Sequence, residues 1–303
     1  MNAAEIAHAL GASCRSGMWW RCRCPVHGSR GPTLALRDGD CALITYCHSG
    51  CDRREILAEL RRRGLLDDRA CRDAHPFPAI RPQRHDDRDG DGRRRIVIAR
   101  DIWNRARDPH GALVERYLAS RGLTLPKSPV LRYAPLLRHP TGICLAAMIG
   151  RIDDVDGRII AIHRTWLRPG GGGKADIDPP RATLGPMSGG AIRLGLIRPG
   201  DWLAVGEGIE TTLSVMESCR LPGWAAVSAP GIEGLVLPPE ACKVLICVDH
   251  DATGVGERAA HLAAQRWLAE GRKVNLAMPP APDTDFNDLL MGRGDAEVRN
   301  VAA

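Results

Sequence analysis

Two sets of side chains in this chain have the types and spacing to hold metal ions. The first lies near the N-terminus. "CRCPVH" places Cys24 and His27 at a C-x2-H spacing, and "YCHSGC" places Cys47 and Cys51 at C-x3-C. Zinc takes thiolate and imidazole ligands, four in a tetrahedron, and tight turns deliver them in pairs. Cys22, Cys41 and His48 stand close enough in sequence to compete for a place in the set. The second set is acidic. Glu207 closes "WLAVGE", and Asp249 and Asp251 close "VLICVDHD". Carboxylates gathered in one crevice repel each other unless cations sit between them, and hard oxygen ligands call for Mg²⁺ or Mn²⁺. Ions held in that way bind phosphates and stabilise an in-line displacement.

The elements that must position these groups can be read around them. Between the two Cys/His knuckles, "GSRGPTLALRDGDCALITY" alternates like two strands about the turn "RDGD". Two knuckles joined by a hairpin make a small zinc ribbon, expected over residues 1–70. Such a domain has few apolar residues, so the metal would supply much of its folding energy. Four protein ligands leave no open position, which makes this zinc structural. The ribbon ends in "CDRREILAELRRRGLL", an amphipathic helix with Gly64 as its stop. Residues 71–95 carry dense mixed charge with Pro and Gly and almost no apolar pattern, and are expected to be a flexible linker.

Residues 96–121 are expected to be helical, and 143–168 to form two strands about the turn "DVDG". After Asp201 strands and helices alternate: "WLAVGE", "GIETTLSVMES", "GWAAVSA", "KVLICVD", "GVGERAAHLAAQRWLAEG", "KVNLAMP" and "DFNDLLM". Alternation of this kind implies parallel βαβ units with helices on both faces of the sheet. The carboxyl ends of such strands line one crevice, which would bring Glu207, Asp249 and Asp251 together. In an extended chain the i, i+2 spacing points Asp249 and Asp251 to one side. His250 is then a spacer that points away. Glu210, one helical turn after Glu207, either faces solvent or supports the site.

The totals are consistent with this reading. The net charge is +6, carried almost wholly by Arg, with only four Lys. Arginine forks match phosphate oxygens, so an anionic partner fits. No stretch approaches the ~20 apolar residues of a membrane span, and the N-terminus lacks the apolar run of a secretory signal. A cytoplasmic protein with reduced cysteines is therefore expected. Seven of the eleven Cys fall in the first 71 residues, which favours metal over disulfides.

The strand–Glu207–Gly208 element and the later Asp249-x-Asp251 resemble the Toprim domain of bacterial-type primases, topoisomerases and some nucleases. The Cys24/His27/Cys47/Cys51 set resembles the zinc-binding domain of bacterial and phage primases. In this order the two look like a DNA primase of the phage or mobile-element type. The fold this implies is α/β: a Toprim domain over 201–303, preceded by an α+β basic subdomain over 96–200 and the zinc ribbon.

The activity implied is nucleotidyl transfer, the synthesis of short RNA primers on single-stranded DNA from ribonucleoside triphosphates. By the resemblance, Glu207, Asp249 and Asp251 hold the divalent ions, with further acidic residues at Asp285 and Asp288. "GRIDDVDGRIIAIHRTWL" and "PPRATLG" resemble the family's strand pair and basic loop, which implies nucleotide or template binding by Arg151, Arg164, Lys174 and Arg181. Thr211 stands where the motif often has Asp. No G-x4-GK[ST] is present, so a separate replicative helicase is the implied partner. A Toprim nuclease and a non-catalytic DNA-binding replication accessory are the alternatives.

Overall fold

A computed structural model describes the chain except residues 1, 12, 17–18, 30, 39–42, 48, 50, 67–85, 251–253, 293–298 and 302–303. It divides into two compact units, Met1–Arg84 and His85–Ala303. Among the described residues no helix is long and apolar enough to cross a membrane.

The first unit opens with α1 (Ala3–Leu10), started by a capping box: Asn2 accepts from the Glu5 amide and Glu5 accepts from the Asn2 amide. Four strands follow, β1 (Cys14–Ser16), β2 (Trp19–Cys22), β3 (Leu34–Asp38) and β4 (Leu43–Cys47), paired antiparallel in chain order. The two strands expected of the ribbon are present, but only β4 alternates, over Thr45–Cys47; Leu34, Ala35 and Leu36 of β3 are all buried. Leu34 and Leu36 turn inward opposite Cys47 and Thr45, and meet Ile6 and Leu10 of α1. The helix α2 (Arg53–Arg62), capped by Asp52, adds Ile56 and Leu60.

The second unit begins with α3 (Asp86–Arg105). The helix starts inside the segment expected to be linker, and an Arg95–Asp91 ion pair of 2.9 Å at i, i+4 spans one of its early turns. Residues 71–85 lie outside the described part. After α4 (Leu113–Ser120) comes an antiparallel sheet of β5 (Leu131–Arg138), β6 (Cys144–Asp153), β7 (Ile159–Trp166) and β8 (Arg181–Leu184). The expected hairpin is β6–β7, and Asp154 closes its turn by accepting from the Arg158 amide at 2.8 Å. Two features differ from expectation. β5 was not anticipated, because Pro135 interrupts its alternation; the register shifts between Ala134 and Leu137 to accommodate it. "PPRATLG", expected as a basic loop, is the edge strand β8.

Both faces of this sheet are covered. α3 lays Ala99 and Trp103 on Ile149, Ile162 and Trp166. The other face, through Met148 and Ile152, joins a core shared with Tyr117 and Leu118 of α4. β6 is therefore an apolar run rather than an alternating one.

The remaining elements are β9 (Ile192–Arg193), β10 (Trp202–Gly206), α5 (Ile209–Cys219), β11 (Gly223–Ala225), α6 (Ala229–Gly234), β12 (Lys243–Cys247), α7 (Val255–Ala269), β13 (Lys273–Met278), α8 (Phe286–Leu290) and β14 (Arg299–Val301). They form a six-stranded sheet in the order β14-β13-β12-β10-β11-β9. The four central strands are parallel, as expected, and both edges are antiparallel. α7 buries Ala260, Ala263, Ala264 and Trp267 on one face, while Val215 of α5 and Phe286 of α8 cover the other. β9 lies within the segment expected to be the preceding subdomain, yet pairs with β11. At Gly150 a Cβ would stand 2.6 Å from Ile192 Cδ1 and 3.3 Å from Ile209 Cδ1, so a side chain here would have to displace the tips of both isoleucines where β6 approaches β9 and the start of α5.

Candidate functional site

In the first unit the ends of β2 and β4 bring the Cys/His pairs together. Cys24 and His27 lie on the turn after β2, Cys47 ends β4, and Cys51 precedes the cap of α2. One ligand atom from each of the four lies within 4.8 Å of the others. Atoms bound tetrahedrally to one zinc at about 2.0–2.3 Å stand roughly 3.5–3.8 Å apart, so this donor set fits zinc. The Cys24 thiol beside it draws the Cys47 thiol below its ordinary value. Cys22 is fully buried in the ribbon core, outside the cluster, and burial pushes its thiol up to about 12. Cys41 and His48 lie outside the described residues.

In the second unit the strand ends deliver the carboxylates. Glu207 directly follows β10, and Asp249 stands two residues past β12. At Gly206 a Cβ would lie 2.6 Å from Thr212 Oγ1, so glycine lets β10 turn tightly into α5. The chain after Asp249 is tied across the sheet end. His250 and Thr284 form a β-bridge, and the His250 imidazole meets the Pro279 carbonyl through Nδ1 at 3.0 Å. The same bridge sets Asp285, the cap of α8, beside Asp249. Burial raises the Asp249 carboxyl to about 7, and the charges of Glu207 and Asp285 add to the rise; Thr211 and Arg181 oppose it. Asp251 lies outside the described residues.

Thr211 is a residue whose contribution the sequence reading did not anticipate. One helical turn after Glu207, its hydroxyl donates to Asp249 at 3.0 Å. A donor in this position steadies the carboxylate without adding a further negative charge.

The basic residues divide. Lys174, on the glycine loop after β7, makes a 3.0 Å ion pair with Glu210. Arg181, at the start of β8, acts electrostatically on Asp249, Tyr117 and His163. Arg181 thus lies by the acidic strand ends, and Lys174 sits with it near His163. Arg164 does not join them: it shares the α3-facing side of β7 with Ile162 and Trp166, leaning on Trp166 and on the carbonyls of Ala182 and Thr183, and burial lowers it to about 10. Arg151 is turned instead to the buried Asp153 at 2.9 Å and to Trp103.

Glu210 does not face solvent. It is buried, accepts from the Tyr117 hydroxyl and pairs with Lys174. Burial works against its ionisation, but Lys174 and Tyr117 outweigh it and hold the carboxyl at about 2. Tyr117 lies 93 residues away in sequence, too far for any local pattern to have signalled the pair. His163, also buried nearby, is pushed down to about 3 by burial and by the charge of Arg181. Carboxylates at the strand ends with Arg181 close by suit a divalent ion together with a polyphosphate.

Residues 202–296 match the Toprim domain family. The chain carries a Toprim domain. Residues 93–194, from α3 to β9, match a domain of unknown function, DUF7146. No curated protein matches the sequence. Solved structures similar to this one include a DNA primase domain from Pseudomonas aeruginosa, with 17% identity over 68% of this chain and 79% of that one and a TM-score of 0.44. The zinc-binding and RNA polymerase domains of Aquifex aeolicus primase are similar at 14% identity over 96% and 80%, with a TM-score of 0.40. The primase fragment of the bacteriophage T7 primase-helicase protein is similar at 20% identity over 58% and 70%, with a TM-score of 0.40.

Proposed function

We propose that this chain is a DNA primase, which joins ribonucleotides into a short RNA primer on single-stranded DNA. The observation that carries this reading is the convergence of Glu207, Asp249 and Asp285 at the sheet end of the Toprim domain, with Arg181 acting on Asp249. The zinc-fitting Cys24/His27/Cys47/Cys51 set in the same chain supports it.

In the proposed reaction the primer 3′-hydroxyl attacks the α-phosphorus of a nucleoside triphosphate. The phosphodiester bond forms as the bond to pyrophosphate breaks, and the hydroxyl proton leaves to water. Mg²⁺ or Mn²⁺, when bound, supplies charge neutralisation for the attacking and leaving oxygens. Glu207, Asp249 and Asp285 would hold it, with Asp251 next along the chain. Arg181 and Lys174 would take the triphosphate oxygens, whereas Arg164, on the α3-facing side of β7, supports the sheet rather than the nucleotide. Arg151, engaged by Asp153, supports β6 rather than the nucleotide. Zinc, held by the first unit, is structural. Single-stranded DNA, ribonucleoside triphosphates and a separate replicative helicase are the proposed partners, at the replication fork in the cytoplasm.

The test is ribonucleotide incorporation by the full chain on varied single-stranded templates with Mg²⁺ or Mn²⁺. Short RNA products that disappear with Asp249→Asn are expected. Cleavage of labelled DNA with metal but no nucleotides, and no incorporation, would replace this reading with a nuclease.

A further inference from the structure

The zinc-fitting cluster contains a histidine, and a neutral imidazole can offer either ring nitrogen to a metal. Which nitrogen it offers depends on where its single proton is held. Around His27 the hydrogen bonds can be followed proton by proton. His27 Nδ1 lies 3.0 Å from Cys51 Sγ and 3.8 Å from Cys47 Sγ, so this nitrogen faces the cluster. His27 Nε2 lies 3.3 Å from Thr33 Oγ1 on the outer side. Thr33 Oγ1 stands 2.8 Å from Ser29 Oγ, and Ser29 Oγ stands 2.9 Å from the Gly31 carbonyl.

Each hydroxyl has one proton to give. A carbonyl only accepts, so Ser29 gives its proton to Gly31. Ser29 must then accept from Thr33, which spends the Thr33 proton. Thr33 has only lone pairs left for His27, so the ring proton sits on Nε2. Nδ1 is thereby left with a free lone pair directed at the thiols. Ser29 also accepts the Cys24 amide at 2.8 Å, so one hydroxyl fixes both residues of the first knuckle.

We infer that Ser29 and Thr33 are positioning residues that hold His27 in the Nε2–H tautomer, so that it binds the metal through Nδ1. The inference rests on the zinc reading of the cluster and is independent of the proposed polymerisation. Partners one step behind a metal ligand orient the ligand ring, and their loss typically weakens metal binding 10–100-fold.

The experiment uses the full chain loaded with zinc, and with cobalt as a spectroscopic probe. Long-range ¹H–¹⁵N correlation of the unmodified protein should show His27 protonated at Nε2 and metal-bound at Nδ1. Thr33→Val keeps the shape and removes the hydroxyl. Zinc affinity by chelator competition should fall roughly 10–100-fold, and Thr33→Ser should return it to within about threefold of the parent. The cobalt visible bands should shift in the Val variant and recover in the Ser variant. Metal bound through Nε2 in the unmodified protein would overturn the inference, as would a Val variant within about twofold of the parent. The ring measurement needs no variant, so it decides the matter even if Thr33→Val fails to fold. A chain in which no zinc engages Cys24, His27, Cys47 and Cys51 overturns the zinc reading itself, a result distinct from zinc bound through the wrong nitrogen.

Discussion

Replacing Asp249 by Asn should stabilise the metal-free protein while abolishing its proposed activity. Asp249 sits half-buried beside Glu207 and Asp285, with Thr211 and Arg181 as its favourable neighbours, and its carboxyl is raised from 3.8 to about 7. Because the folded value lies above the unfolded one, the folded chain holds an extra proton between those two pH values. Stability therefore falls as pH rises through that window, and the loss is complete above it. At about 1.4 kcal/mol per unit the rise corresponds to roughly 4 kcal/mol, or about 2–4 kcal/mol allowing for solvent at this half-buried group. Asn carries no charge, so the variant should lose this pH slope and gain roughly 5–10 °C in Tm at pH 8 with chelator present. Saturating Mg²⁺ should close most of the gap, since a ligand at 100 times its Kd adds about 2.7 kcal/mol to the parent alone. The assay is thermal unfolding of both proteins from pH 4 to 8, with EDTA and with Mg²⁺. An Asn variant with the parent's pH slope and no gain at pH 8 would refute the reasoning.

Three further outcomes are expected. Glu210→Gln removes the carboxylate that pairs with Lys174; breaking a buried pair from one side should cost about 3 kcal/mol, read from the denaturant midpoint. Chelating zinc should unfold the Cys-rich unit while His85–Ala303 keeps its own cooperative transition, as limited proteolysis would show. Cys22→Ala should leave zinc stoichiometry unchanged and cost about 1 kcal/mol of packing, whereas Cys47→Ala should lose the metal.

Much of the Toprim domain was legible in the sequence because its strands and helices alternate and are separated by Gly and Pro. β10, α5, β12, α7 and β13 fall where the periodicity puts them. The two knuckles were legible from their spacing, although Cys22, Cys41 and His48 competed for places in the set until the fold brought Cys24, His27, Cys47 and Cys51 together. What escaped was long-range or locally disguised. Pro135 hid β5, and the Pro and Gly flanking β8 made a strand look like a loop. The early turns of α3 carry Gly90 and Gly92 among dense charge, a composition with low helix propensity. The bonds Tyr117–Glu210 and Thr211–Asp249 join residues 93 and 38 positions apart, so only the folded chain could pair them. Arg151 has the right residue type, but its neighbour Asp153 claims it.

The two-residue strand β9 belongs by sequence to the 93–194 match and by hydrogen bonding to the Toprim sheet. The boundary between the two domains is thus a shared part rather than a seam. Recombination that exchanged one domain for a relative's would have to carry β9 along, or leave the β11 edge bare and open to pairing with other chains. The two halves are in this sense heritable only as one piece.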